Sequence, residues 1–190
     1  MDVDLPRLED LGDLTGRRVI VRCDLNVPVA NGAILDDFRI RSALPTLRYL
    51  QDAGAKVTAC SHLGRPGGRA DPTLAMAPVG ERLRQLVPGV EVLENLRFDP
   101  GETANAAEVV DRLVDGQDAY VNDAFAASHR AHASVVGPPT RLPSAAGRLM
   151  VKEVEVLGGL RVTPRRPFVT ILGGAKVSDK LGAVQSLLKV

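Results

Sequence analysis

Four times along this chain a short apolar run stops in a loop rich in polar or glycine residues. The runs are Val19-Ile20-Val21, Val57-Thr58-Ala59-Cys60, Val90-Glu91-Val92-Leu93 and Ala119-Tyr120-Val121, and a helical pattern follows each of the first three. Runs of this length and β-branched character read as buried strands. Strand, loop and helix in regular succession predict an α/β fold. Its sheet is expected to be open and parallel, with right-handed crossovers and helices on both faces, in a Rossmann-like three-layer arrangement. Composition agrees. Hydrophobic residues make up 45% of the 190, but aromatic residues only 3%, with no Trp. The core is therefore expected to be Val, Leu, Ala and Ile, as suits strands buried on both faces.

Local signals divide the chain further. Pro28 ends pairing of the first strand, and Asn31-Gly32 marks a turn. Leu44, Leu47 and Leu50 predict a helix over 43–53, with Pro45 tolerated in its first turn and Gly54 as its stop. Thr73 is the expected cap of a helix over 74–86, and Asn105 of one reaching Val114. Residues 144–160 read as one helix, 163–167 as a linker, 168–172 as a fifth strand, and a last helix starts near Ser178. One strand and one helix cannot build a core. The expected organisation is thus a complete lobe over 1–143, a helix and linker over 144–166, and the first unit of a second lobe over 167–190.

A formal charge of +1 argues against a general nucleic-acid binder. Cys23 and Cys60 lie inside strand-like runs and read as buried thiols of a reducing compartment. No apolar run reaches bilayer length, and the acidic start Met1-Asp2-Val3-Asp4 lacks a signal-peptide pattern, so a cytoplasmic protein without membrane contact is expected. No strand leads into GxGxxG with an acidic partner, which argues against a dinucleotide-binding oxidoreductase.

The chemistry follows the strands. Asp24 and Asn26 come after the first, His62, Gly64 and Arg65 after the second, Arg97 after the third, and His129, Arg130 and His132 after the fourth. Loops at the carboxyl ends of parallel strands share one edge, and ligands bind there. Arg65, Arg97 and Arg130 should therefore converge, with Arg39 able to join them, and such a cluster needs a multiply charged anion. Several of these residues also have a plain structural reading. Arg22 can face solvent or pair with an acid. Asp24 can be a turn former or an acceptor for substrate hydroxyls. The three histidines complete no familiar metal spacing and are expected to donate to oxyanions or brace the loop. Lys176 and Lys180, after Gly173-Gly174, are either a solvated helix face or phosphate contacts at a helix start.

Taken together, several stretches resemble phosphoglycerate kinase. They are residues 21–28 (VRCDLNVP), 37–40 (DFRI), 61–66 (SHLGRP), 93–98 (LENLRF), 122–125 (NDAF), 129–132 (HRAH) and 172–177 (LGGAKV), in the family's order. The resemblance implies a phosphotransferase with a carboxyl group as acceptor. Its reaction is reversible phosphoryl transfer between 1,3-bisphosphoglycerate and ADP, giving 3-phosphoglycerate and ATP in glycolysis. It implies that Asp24, Leu25 and Asn26 contact the glycerate part, and that His62, Leu63, Gly64, Arg65, Arg97 and Arg130 surround the phosphate. Arg39 would stabilise the passing phosphoryl group. Gly174, Ala175, Lys176 and Lys180 would reach the nucleotide, with Lys176 and Lys180 catalytic, and residues 144–160 would be the hinge. Mg2+ would arrive with ADP or ATP, its protein ligand lying outside this chain. Chains of the family are considerably longer and are expected to be monomers. The expectation for these 190 residues alone is binding of 3-phosphoglycerate without turnover, the rival being a non-catalytic anion-binding module. Leu25 departs from the family's usual aromatic there, and Gly67 and Ala126-Ala127 also vary.

Overall fold

The computed structural model describes residues 4–171, 173 and 181–188. By packing, the chain divides into a unit over 4–151 and a second, much smaller unit that includes residues 152–190.

The larger unit is built on a five-stranded sheet. Its strands are β1 (Arg18–Cys23), β4 (Lys56–Cys60), β5 (Glu91–Val92), β6 (Ala119–Asp123) and β7 (Ser144–Ala146). All neighbours are parallel, in the order β5-β4-β1-β6-β7. The chain enters at the centre, winds outward through β4 and β5, then crosses back to place β6 and β7 on the other side of β1. That reversal of direction opens a crevice at the carboxyl ends of β1 and β6. Between β1 and the first helix lies a small antiparallel hairpin of β2 (Val29–Ala30) and β3 (Ala33–Ile34). Its tip is the expected turn: Asn31 and Gly32 have φ of +50° and +74°, as a primed two-residue turn requires.

Alternation along β1 separates two cores. Val19, Val21 and Cys23 pack with Leu47 and Leu50 of α1 (Phe38–Asp52) and with Val79 and Leu83 of α2 (Ala77–Leu86). Ile20 packs on the opposite face with Tyr120, with Val109, Val110 and Leu113 of α4 (Ala107–Val114), and with Ala133 of α5 (Ala133–Val136). This is the three-layer α/β architecture expected.

Several local expectations are corrected. α1 begins at Phe38, so Pro45 lies inside it rather than in its first turn. It is exposed, as is Arg41, whose carbonyl receives no hydrogen bond from the proline nitrogen and faces the water side of the helix. Asp71, not Thr73, caps the 3-10 turn Pro72–Leu74, and α2 starts later with Pro78 in its first turn. Asn105 does not start α4. It ends the short helix α3 (Pro100–Ala104) in a left-handed conformation, with φ +54°, a role Asn shares with Gly.

The helix expected over 144–160 is instead two elements. Ser144–Ala146 completes the sheet edge as β7, and α6 (Arg148–Val162) follows. Ala145 and Ala146 are buried, so their small apolar side chains serve a strand as well as a helix. In the smaller unit, residues 168–171 are not in a strand, and a helix α7 spans Leu181–Leu187. A strand needs a neighbour to bond, and among the described residues none pairs there. Val156, Leu157, Val162, Val169, Ile171, Leu181 and Leu188 are all exposed.

Candidate anion-binding site

The loops that follow β1, β4 and β5 at the carboxyl edge of the sheet are tied to one another. After β1, Leu25 is buried and its amide donates to Ser61 Oγ at 2.9 Å. Asn26 Oδ1 accepts from Gly64 N at 2.8 Å. Asp24 is largely buried and pairs with Arg39 from the first turn of α1. After β4, Leu63 is buried and held at both ends by Asn95. The Leu63 amide donates to Asn95 Oδ1 at 3.2 Å, and Asn95 Nδ2 donates to Leu63 O at 2.7 Å. The same Oδ1 accepts from Arg97 N at 3.1 Å, and Arg97 Nη1 donates to Gly64 O at 3.0 Å. Three loops far apart in sequence thus form one braced edge. Leu25 and Leu63 contribute their backbone; their side chains belong to the core.

Arg65, Arg97 and Arg130 line a single cavity of about 540 Å³ together with Gly67, Gly68, Pro100 and Thr103. Among the described residues no acidic side chain is in that lining. Gly68 has φ +76°, and a Cβ there would come within 2.9 Å of Pro100, so the loop can close on α3 only with glycine. Arg97 is mostly buried, and among the described residues its Nε has no hydrogen-bond partner. Burial, then the Arg130 and Arg22 charges, lower its pKa against the pull of Glu102. An anion would relieve both the repulsion and the unpaired donor. Arg39 does not line this cavity; its partner is Asp24 on the adjoining loop.

The histidines go to three different partners. His62 Nδ1 lies 3.0 Å from Arg22 Nη2. His129 Nε2 accepts from Arg130 Nε at 3.2 Å. His132 Nδ1 is buried 3.7 Å from Glu102 Oε1. Burial first, then Arg22, Arg97 and Arg130, push the His62 pKa down to about 3, so the ring is neutral in ordinary buffers. Among the described residues no group of His, Cys, Asp or Glu could hold a metal ion. The donors of the cavity are guanidinium groups, with an imidazole beside them, and these suit an anion and repel a divalent cation.

Arg22 corrects its sequence reading. It neither faces solvent nor pairs directly with an acid: it is fully buried, and its Nε donates to Ser134 Oγ at 2.9 Å. Ser134 in turn donates to Glu102 Oε1 at 2.6 Å. Glu102 and Ser134 carry no signal in the sequence, and Ser61 and Asn95 stand out there only as members of the 61–66 and 93–98 stretches. For Arg22 one signal was available: a central strand buried on both faces leaves an arginine in its middle no route to water. Gly174, Ala175, Lys176 and Lys180 lie outside the described residues.

Comparison with known proteins gives one consistent result. The family model described as "Phosphoglycerate kinase" matches residues 8–92 and 88–190. The phosphoglycerate kinase of Rubrobacter xylanophilus is 49% identical, across 99% of this chain and 54% of its own. That of Dictyoglomus turgidum is 48% identical, across 93% and 50%. Among solved structures, phosphoglycerate kinase from Coxiella burnetii superposes with a TM-score of 0.87 at 35% identity, covering 97% of this chain and 52% of that one. The Pyrococcus horikoshii enzyme gives 0.86 at 33% identity. The chain spans about half the length of the curated relatives it matches.

Proposed function

The chain belongs to the phosphoglycerate kinase family, and on that premise we propose that its basic crevice holds the phosphate of 3-phosphoglycerate. The observation that carries the reading is the convergence of Arg65, Arg97 and Arg130 on one cavity without an acidic side chain among the described residues of its lining. A charged hydrogen bond contributes about 1.5–3 kcal/mol, so two or three hold a small phosphate ester. Asp24 and Asn26, on the adjoining loop, take the glycerate hydroxyl and carboxylate. Arg39, paired with Asp24 on that loop, stabilises the phosphoryl group in transit.

The whole protein's reaction is then the reversible phosphoryl transfer between 1,3-bisphosphoglycerate and ADP, giving 3-phosphoglycerate and ATP, a step of glycolysis. Such a transfer asks the protein for positioning and charge stabilisation rather than covalent chemistry, and a set of guanidinium donors supplies both. The expected division puts the phosphoglycerate lobe at 1–143, the hinge and linker at 144–166 and the opening of a nucleotide lobe at 167–190; because β7 (Ser144–Ala146) pairs with β6, we assign it to the phosphoglycerate lobe and start the hinge at α6. There Gly174, Ala175, Lys176 and Lys180 meet the phosphates of ADP or ATP. Mg2+ enters with the nucleotide and takes no ligand from the basic crevice, whose guanidinium donors repel a divalent cation.

On this reading the purified chain binds 3-phosphoglycerate and does not turn over. Calorimetric titration at two salt concentrations, beside Arg65→Ala, tests it. Saturable one-to-one binding, weakened at least tenfold by Arg65→Ala and weakened by salt, is the expected result. A folded chain that binds no 3-phosphoglycerate would refute the assignment of the crevice. Normal turnover in a coupled assay would refute the need for further sequence.

A further inference from the structure

Behind the crevice, buried side chains form a chain of hydrogen bonds with one direction. Glu102 on α3 accepts twice from Ser134, from its amide at 2.9 Å and its hydroxyl at 2.6 Å. Because that hydroxyl proton is spent on Glu102, Ser134 Oγ can only accept from Arg22 Nε, 2.9 Å away. Tyr120 fixes Ser134 from below, its hydroxyl donating to Ser134 O at 2.8 Å. Arg22 Nη1 donates to Cys23 O and lies 3.4 Å from Ser61 Oγ. The remaining Arg22 nitrogen, Nη2, points at His62 Nδ1 at 3.0 Å. Glu102, Ser134, Arg22 and Ser61 are each fully buried.

A guanidinium has donors only. His62 Nδ1 facing Arg22 must therefore accept, and the ring proton is placed on Nε2. The orientation of Arg22 is in turn set by Ser134, and Ser134 is set by Glu102. We propose that Glu102 and Ser134 are positioning residues: acting through Arg22, they hold His62, which lies outside the lining of the Arg65, Arg97 and Arg130 cavity, as the Nε2–H tautomer, leaving its N–H free to donate to an anion bound beside those arginines. This rests on the reading of that crevice as the phosphoglycerate site.

The groups that face His62 explain why such a device is useful. Arg22, Arg97, Arg130 and His132 all act on its ring, and each disfavours a further positive charge there. A protonated imidazole would add to the repulsion, whereas a neutral ring with a fixed N–H adds a donor without a charge. Left unfixed, a neutral histidine could equally turn a lone pair toward the oxyanion, which repels it. The carboxylate of Glu102 offsets the buried Arg22 through the serine, so the cost of burying that guanidinium is not borne by the ligand site.

The test is nitrogen NMR of the purified chain labelled with 15N-histidine, for wild type, Glu102→Gln and Ser134→Ala, with His62 assigned by His62→Gln. The wild-type ring is expected to show a protonated Nε2 and an unprotonated, hydrogen-bonded Nδ1 from pH 5 to 8. Both variants are expected to shift His62 toward a tautomer mixture. Both should also lose about tenfold in affinity for 3-phosphoglycerate while keeping a cooperative thermal transition. A wild-type His62 with its proton on Nδ1 overturns the proposal, and this holds even where Glu102→Gln fails to fold. So does an unchanged His62 signal in Ser134→Ala, which removes only one oxygen. Tautomer mixing in the variants of a chain that binds no 3-phosphoglycerate supports the positioning of His62 and overturns only the ligand assignment.

Discussion

Replacing Gly147 by alanine tests how the sheet fixes the start of α6. The first amides of that helix are capped by side chains from elsewhere in the chain. Asp123 Oδ1 accepts from Leu149 N at 2.9 Å and Met150 N at 3.3 Å, and Thr46 Oγ1 accepts from Arg148 N at 2.8 Å. Gly147 is itself pinned, its amide donating to Asn122 O at 2.9 Å. A methyl at Gly147 would overlap the Asp123 carboxylate and lie 2.7 Å from its Cβ. Relief requires the carboxylate to rotate away from both amides or the backbone to leave Asn122. Loss of a cap costs about 0.5–2 kcal/mol, and overpacking adds about 1–3 kcal/mol. The expected destabilisation of Gly147→Ala is therefore roughly 1.5–5 kcal/mol. For a domain of this size each kcal/mol lowers Tm by about 2–4 °C, so a fall of roughly 3–20 °C follows. The contrasting substitution is Gly158→Ala in the same helix, where a Cβ meets nothing within 4 Å. There the helix propensity of alanine is expected to add up to about 1 kcal/mol. Urea titrations and far-UV circular dichroism melts read both. A Gly147→Ala chain within about 0.5 kcal/mol of wild type, the range of an ordinary surface change, would refute the steric argument.

Further outcomes follow from the same physics. Burial pushes the Asp123 carboxyl up to about 6 against the pull of its amide donors, while His62 is pushed down to about 3. The neutral His62 contributes stability that is present above its ordinary pKa and is lost as pH falls below it. Ionised Asp123 is a cost that is relieved as pH falls through 6. His62→Gln should therefore flatten the loss of stability on acidification from pH 7 to 4, and Asp123→Asn should steepen it. Denaturant midpoints across that range decide, and parallel curves for all three chains would contradict the signs. Gly68→Ala, strained at φ +76° and pressed on Pro100, should lower affinity for 3-phosphoglycerate more than it lowers Tm. Equal binding by Gly68→Ala would mean the glycine loop does not shape the site. Cys23 and Cys60 are both buried, and burial raises both thiols, Cys60 to about 12. Neither should react with a thiol-specific disulfide reagent until the chain is unfolded, and fast labelling of the native chain would contradict their burial.

How much of this was legible beforehand differs from element to element. β1, β4 and β6 announced themselves as apolar runs, and the loops behind them carried Asp24, His62, Arg65 and Arg130 in plain view. The convergence of Arg65, Arg97 and Arg130 was expected from one rule of parallel sheets, and all three line the same cavity. The misread segments were those where the local signal was degenerate. Ser144-Ala145-Ala146 suits a helix by composition, yet it is a strand because β6 presents an open edge beside it. Asn105 is a good residue for either end of a helix, and the packing of α3 and α4 chose the earlier end.

The sequence by itself determined the layers, the core composition and the edge on which the chemistry sits. These depend on periodicity and on residue type, which act over a few neighbouring positions. Only the tertiary structure decided what each polar side chain faces. Arg22 meets Ser134 across 112 residues, and Ser134 meets Glu102 across 32. Hydrogen bonds are short and directional, so such pairings arise only after the sheet order and register have brought distant segments within about 3 Å. The pairing of Arg39 with Asp24, the cap that Asp123 gives α6, and the approach of Arg22 to His62 are all of that kind.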